Sequence, residues 1–160
     1  MKKIMFDTNV FDKLPEFIDL IRDSTTQYEY FVTTIQIDEL CGIPDHKIDI
    51  RKRNFLMLAD LRARLVPLSV FVLGWARLGY ARLGEGEVFN KILNKNKSNV
   101  EDAAIADTAV YEGCTLITND DDLYERMDKN GYDVMKFDDF IKTLQDTIPW
   151  YIWMNNYEIR

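Results

Sequence analysis

The chain has two cysteines, Cys41 and Cys114, and one histidine, His46, among its 160 residues. That inventory excludes a Cys-rich zinc site and offers no His pair to help build one. It suits a reducing cytoplasm, where both cysteines are expected to be small buried residues and His46, in Pro44-Asp45-His46-Lys47, to decorate a loop. No apolar run approaches the roughly 20 residues that a membrane span requires. The start, Met1-Lys2-Lys3-Ile4-Met5-Phe6-Asp7, meets an acid before a signal-peptide apolar region can form, so neither membrane insertion nor export by that route is expected. Internal repeats and low-complexity segments are also lacking. Positive charge is short, with 20 Lys and Arg against 27 Asp and Glu and a net charge of −7. Taken alone, that balance disfavours nucleic acid as a partner.

What is present is ordinary globular material: 47% hydrophobic, 12% aromatic and 29% charged residues. A chain of this length makes one domain and buries roughly 68 to 70% of its unfolded surface. The charge is unevenly spread. Residues 1–40 hold four bases and eight acids, residues 41–100 eleven bases and five acids, and residues 101–160 five bases and fourteen acids. An acidic beginning and end therefore enclose a basic middle, an asymmetry that suggests a polyanion partner.

The apolar pattern alternates between strand and helix. Lys3-Ile4-Met5-Phe6 reads as a buried strand, and Leu14, Phe17, Ile18 and Ile21 recur at helical spacing. Tyr28 to Val32 reads as a second strand, with Thr33 or Thr34 capping a helix through Leu40, and Pro44 breaks the chain. A charged helix over about 47–65, a strand over Leu65 to Leu68 and a helix over Val70 to about Leu83 are expected next, the last despite Gly74 and Gly79. Residues 93–99 form a polar connector. After it come a helix Val100 to Glu112 stopped by Gly113, a strand Thr115 to Thr118, a helix Asp120 to Lys129, a strand Asp133 to Phe137 and a helix Asp138 to Leu144. Such alternation implies parallel βαβ units in a three-layer α/β/α sandwich. The domain is expected over residues 1–146, with an aromatic tail, Pro149-Trp150-Tyr151-Ile152-Trp153-Met154, within 147–160.

In an open parallel sheet, ligands bind outside the carboxyl ends of the strands. Acids fall there repeatedly: Asp7 after the first strand, Glu39 on the helix after the second, Asp102 at the start of the helix before the fourth, and Asp120 after the fourth. Gathering four carboxylates costs several kcal/mol, on the order of the penalty for buried like charges, unless cations offset it. Mg²⁺ or Mn²⁺ is the matching ion, because hard cations take oxygen ligands and the chain offers no His or Cys cluster. Such a centre suits phosphodiester hydrolysis, since bound metal stabilises charge on phosphoryl oxygens and lowers the pKa of an attacking water. Metal charge also lets an acidic protein hold an RNA phosphate while the basic middle, with Arg51, Lys52 and Arg53 as candidate contacts, takes flanking ones.

Four stretches carry a resemblance: Met5-Phe6-Asp7-Thr8-Asn9-Val10, Ile35-Gln36-Ile37-Asp38-Glu39-Leu40, Glu101-Asp102-Ala103-Ala104-Ile105-Ala106-Asp107-Thr108-Ala109, and Leu116-Ile117-Thr118-Asn119-Asp120-Asp121-Asp122-Leu123. In order and spacing they resemble the PIN-domain ribonucleases, including the VapC-like toxins of toxin-antitoxin systems, over residues 2 to about 144. The resemblance implies a PIN-like fold and metal-dependent endoribonuclease activity. Asp7, Glu39, Asp102 and Asp120 match the family's metal-binding acids, Asn9 and Thr118 match neighbours that order them, and Asp122 matches an occasional extra ligand. An antitoxin is the partner such a toxin would have. The aromatic tail lies outside the common domain; its rings can pack back on the domain, and their exposure would instead suit a homodimer, an antitoxin contact or base stacking on RNA.

Each acid has a plainer reading. Asp7 can cap a first turn, Glu39 can be a solvated helix residue, and Asp102 and the run Asp120-Asp121-Asp122 can serve positive helix N-termini. Asp107 is set aside: at about 100° per residue, five positions turn it roughly 140° from Asp102. Two alternatives stand beside the toxin reading. One is a PIN-like module that grips RNA without cutting, and the other is a PIN nuclease of RNA processing. A phosphatase-like or response-regulator-like acidic domain would want a buried Lys after the last strand, and Lys136 is expected inside one.

Overall fold

The computed structural model describes residues 1–77, 79–93 and 99–147. Five strands, β1 (Lys2–Phe6), β2 (Tyr28–Thr33), β3 (Arg64–Val66), β4 (Thr115–Thr118) and β5 (Val134–Lys136), form one sheet in the order β3-β2-β1-β4-β5. All four pairings are parallel. The helices are α1 (Ile18–Asp23), α2 (Thr34–Cys41), α3 (Ile48–Asp60), α4 (Glu87–Ile92), α5 (Val100–Glu112), α6 (Asp121–Lys129) and α7 (Phe137–Thr147).

Period-two alternation divides the strand residues between two cores. Ile4 and Phe6 of β1, Tyr28, Tyr30 and Val32 of β2, and Ile117 of β4 pack with Ile21 of α1, Met57 of α3 and Phe140 of α7. Met5, Phe31 and Leu116 turn to the opposite face, where α5 lays Ala103, Ala104, Ala106 and Ala109 against the sheet beside Leu123 and Met127 of α6. Small alanines let α5 approach closely, and both faces are covered, as a parallel sheet requires. The molecule is thus the α/β/α sandwich expected from the sequence.

β1 lies centrally: its chain continues to β2 on one side, yet its other neighbour is β4, more than 100 residues later. The order of connections reverses between β1 and β4, and a crevice at the carboxyl ends of these two strands follows from that topology. The order also differs from the 2-1-3-4-5 of flavodoxin-like response regulators.

Three expectations need correction. The helix expected over Val70 to Leu83 is instead a turn-rich excursion between β3 and α4. Gly74 and Gly79 adopt φ of 91° and 85° there, outside helical space, and backbone bonds from Leu68 N to Tyr80 O (3.0 Å) and from Arg82 N to Leu68 O (2.7 Å) fold it back on itself. The helix expected from Leu14 begins as a 3₁₀ turn, Leu14–Phe17, with Pro15 in its first turn, and becomes α1 only at Ile18. Cys41 is exposed at the end of α2, whereas Cys114 is buried as expected. The tail Pro149–Met154 and most of the polar connector lie outside the described residues. Among the described residues, no helix is long and apolar enough to cross a membrane.

Candidate functional site

The crevice between β1 and β4 is lined by a ladder of short polar contacts. Asp7 leaves β1 in extended conformation and caps the turn Thr8–Val10, its Oδ1 accepting from Thr8 N at 2.7 Å. Its Oδ2 accepts from the Thr118 hydroxyl, also at 2.7 Å. Thr118 Oγ1 in turn accepts from Asn9 Nδ2 at 3.3 Å and from Asp120 N at 3.0 Å. Asn9 closes the ladder, its Oδ1 taking the Asn119 N–H at 3.1 Å. Asn9 and Thr118 thus tie the two strand ends together, and Thr118 fixes one oxygen of Asp7. Both Asp7 and Thr118 are fully or almost fully buried.

Glu39 arrives from the second strand. α2 starts directly after β2, and Gln36 anchors its first turn: Oε1 accepts from Thr33 N at 2.6 Å, and Nε2 donates to Phe6 O at the end of β1. One turn later Glu39 Oε2 accepts the Thr8 hydroxyl. Asp102 comes from the first turn of α5. Asp120 is the N-cap of α6, with Oδ1 accepting from Leu123 N at 2.8 Å. Its capping role is therefore real, and it occupies one carboxylate oxygen.

The electrostatics show that these acids sense one another. Burial pushes the Asp7 carboxyl up to about 6; the Thr118 hydrogen bond holds it down, and the charges of Asp102 and Glu39 add to the rise. Glu39 is raised by burial and by Glu101 and Asp102, with the Thr8 hydroxyl opposing. Asp102 is raised by burial, Asp120 and Glu101, with Arg126 opposing. All four sequence-derived acids therefore belong to one interacting group. Raised proton affinity is what like charges and desolvation produce together, and perturbed groups in a crevice mark candidate sites.

Among the described residues, no three His, Cys, Asp or Glu side chains stand close enough to hold one ion between them. The acids are gathered within reach of one another's charge but do not form a closed cage. The donor set is all oxygen, one member is almost fully buried, and mutual repulsion opposes closer approach. A hard divalent cation would offset that repulsion, and an all-oxygen donor set is the chemistry that Mg²⁺ or Mn²⁺ takes.

Other candidates fall outside the group. Asp122 is exposed on the first turn of α6. Neighbouring Asp121 pairs with Lys136 Nζ at 2.6 Å. Asp107, set aside on helical geometry, is buried; it accepts from the Ser69 hydroxyl and from Phe89 N (2.8 Å), pinning the β3–α4 excursion to α5. Arg51 donates to Ile43 O at 3.1 Å and pairs with Asp45 at 3.0 Å, bracing the α2–α3 turn, while Lys52 and Arg53 are exposed. Sequence reasoning missed Thr8 and Glu101. The signals were a hydroxyl directly after Asp7 and a second acid directly before Asp102.

The sequence matches no protein-family profile, and no curated protein matches it. Solved structures share its fold. The crystal structure of PAE2754 from Pyrobaculum aerophilum aligns with a TM-score of 0.61 at 12% identity, covering 91% of this chain and 98% of that one. A domain of a functionally unknown protein from Methanocaldococcus jannaschii aligns with a TM-score of 0.53 at 18% identity, covering 86% and 91% respectively. At such identities the likeness establishes the α/β/α architecture over nearly the whole chain.

Proposed function

We propose that the protein is a Mg²⁺ or Mn²⁺-dependent endoribonuclease of PIN type. The observation that carries this reading is the buried Asp7, locked by Thr118 at the switch point and surrounded by Glu39, Asp102 and, beyond it, Asp120. Asp7, Glu39 and Asp102 are the residues that would hold the cation, with Asp120 contributing the oxygen not committed to its helix. A cation bound there supplies Lewis acidity at the scissile phosphate and lowers the pKa of the attacking water. Thr118 and Thr8 keep the Asp7 and Glu39 carboxylates oriented, and the Gln36 bond to Phe6 O seats α2 against the end of β1. The toxin role, with an antitoxin partner, rests on the four-motif resemblance.

Incubation of labelled total RNA with purified protein and Mn²⁺ tests the activity. Fragments that vanish with a chelator and with Asp7→Asn support it; intact RNA under all conditions contradicts it. Growth arrest on expression of the wild type but not of Asp7→Asn would support the toxin role. The alternative is a module that grips RNA without cutting. That module would retain RNA equally in the wild type, in Asp7→Asn and under chelation.

A further inference from the structure

The edge of the sheet opposite the carboxylates carries a cleft of about 390 Å³. Lys2, Tyr28 and Thr115, the first residues of β1, β2 and β4, line it together with Met135 of β5 and Phe140 and Thr143 of α7. Because every strand is parallel, this amino edge lies a strand's length from Asp7 and Asp120, and the cleft is no part of the carboxylate group. Its floor is the core itself: Tyr28 is 6% and Phe140 1% exposed. Its rim is polar, with the Thr143 side chain and the Asp133 carboxylate, which takes the Thr115 hydroxyl at 2.7 Å. An apolar floor under a rim that bears acceptors suits a large ring with one N–H donor, as an indole is.

α7 brings the end of the chain to this place. It buries Phe137, Phe140, Ile141 and Leu144 and ends at Thr147, one helical turn, or about 6 Å, past Thr143. Residues 148–160 follow, and Trp150, Tyr151, Ile152, Trp153 and Met154 form one run among them. Trp150 stands three residues beyond Thr147, a reach of about 10 Å. Pro149 lacks the N–H that a further helical turn needs, which favours a course away from the α7 axis. Left in water, such a run would make an apolar patch of the kind that marks interfaces.

We infer that the cleft is the docking site of the chain's own C-terminal segment, with the Trp150 ring entering beside α7 at the start of β1 and β4. The segment is tethered next to its site, so docking costs less than capture of a separate partner would. A docked ring closes the amino edge of the sheet and leaves the carboxylate edge untouched. Docking involves neither RNA nor metal, so it stands or falls apart from the nuclease reading.

Tryptophan fluorescence of the full chain carrying Trp75→Phe tests it, because emission then comes from Trp150 and Trp153 alone. Blue-shifted emission is expected. It should move to that of a water-exposed indole with Thr143→Arg, which fills the mouth of the cleft at a helix position that suits arginine. Leu56→Arg, on α3 where Ile48 and Phe55 line a separate groove, should leave the emission unchanged. Urea unfolding supplies the second measurement. Ending the chain at Thr147, or Trp150→Ser in the full chain, is expected to raise the unfolding constant about tenfold, and adding Thr143→Arg to either should raise it no further. Water-like emission with Trp75→Phe alone, or emission that ignores Thr143→Arg or responds to Leu56→Arg, would overturn the inference. So would unfolding constants unchanged by both tail changes, or a dimer in sedimentation that the shortened chain cannot form, because a second copy would then hold the segment.

Discussion

Asp7 carries an electrostatic cost that can be measured without RNA. Its folded pKa of about 6 lies above the ordinary 3.8, chiefly through burial. A raised carboxyl pKa means that the folded state binds the proton more tightly than the unfolded one. The stability this contributes is fully present below pH 3.8 and is lost as pH rises through about 6. The full difference is at most about 3 kcal/mol, from 1.36 kcal/mol per unit. Asp7→Asn, free of this titration, should therefore be more stable than the wild type in chelator at pH 8, and the gap should shrink towards pH 4; urea unfolding at the two values checks this. Thr118→Val removes the hydrogen bond that holds Asp7 down, so its pKa should rise further. The acid limb of the cleavage profile should then move to higher pH, read as a loss at pH 6 larger than at pH 8. Asp7 and Asp120 were legible in the sequence because each follows a legible strand, and Asp102 because the start of α5 was. The Thr8–Glu39 contact was not, because it depends on how Gln36 seats α2 against the end of β1.

At the scale of elements, legibility followed local signals. α5 was read to the residue because a polar connector precedes it and Gly113, with φ 69°, stops it. The stretch Val70 to Leu83 misled because its apolar spacing imitates a helix, while the forces that shape it come from residues distant in sequence: the bonds at Leu68 and the Asp107 pin. α4 lacked a periodic signal and was not anticipated. Asp107→Ala should leave Phe89 N–H without its acceptor and the Ser69 hydroxyl with only its Thr108 partner. At about 1 to 3 kcal/mol for losing the acceptor of a partly buried N–H and one of the two partners of a buried hydroxyl, the chemical denaturation midpoint should fall while the far-ultraviolet spectrum stays helical. A midpoint unchanged by the substitution would mean that the excursion is not pinned there.

For the whole molecule, topology and charge work together. The 3-2-1-4-5 order brings residues more than 100 positions apart to one crevice; the acidic ends of the chain supply its carboxylates, and from the basic middle Arg77 reaches Asp38, the chain neighbour of Glu39. RNA binding, as proposed, should rely on a small number of contacts, because the chain as a whole is acidic. With about three phosphates engaged, raising salt from about 50 to about 200 mM should weaken single-strand binding by roughly twentyfold, far less than for a strongly basic RNA binder. A loss of about a thousandfold would mean a larger footprint than this.

The central claim is that these carboxylates form one divalent-cation centre. Calorimetric titration of Mn²⁺ into metal-stripped protein at pH 7.5 tests it most directly, with Asp7→Asn and Asp102→Asn alongside. The account predicts saturable binding by the wild type, accompanied by a rise in unfolding temperature, and loss of both in each variant. Equal heats and equal unfolding temperatures in all three proteins would contradict it.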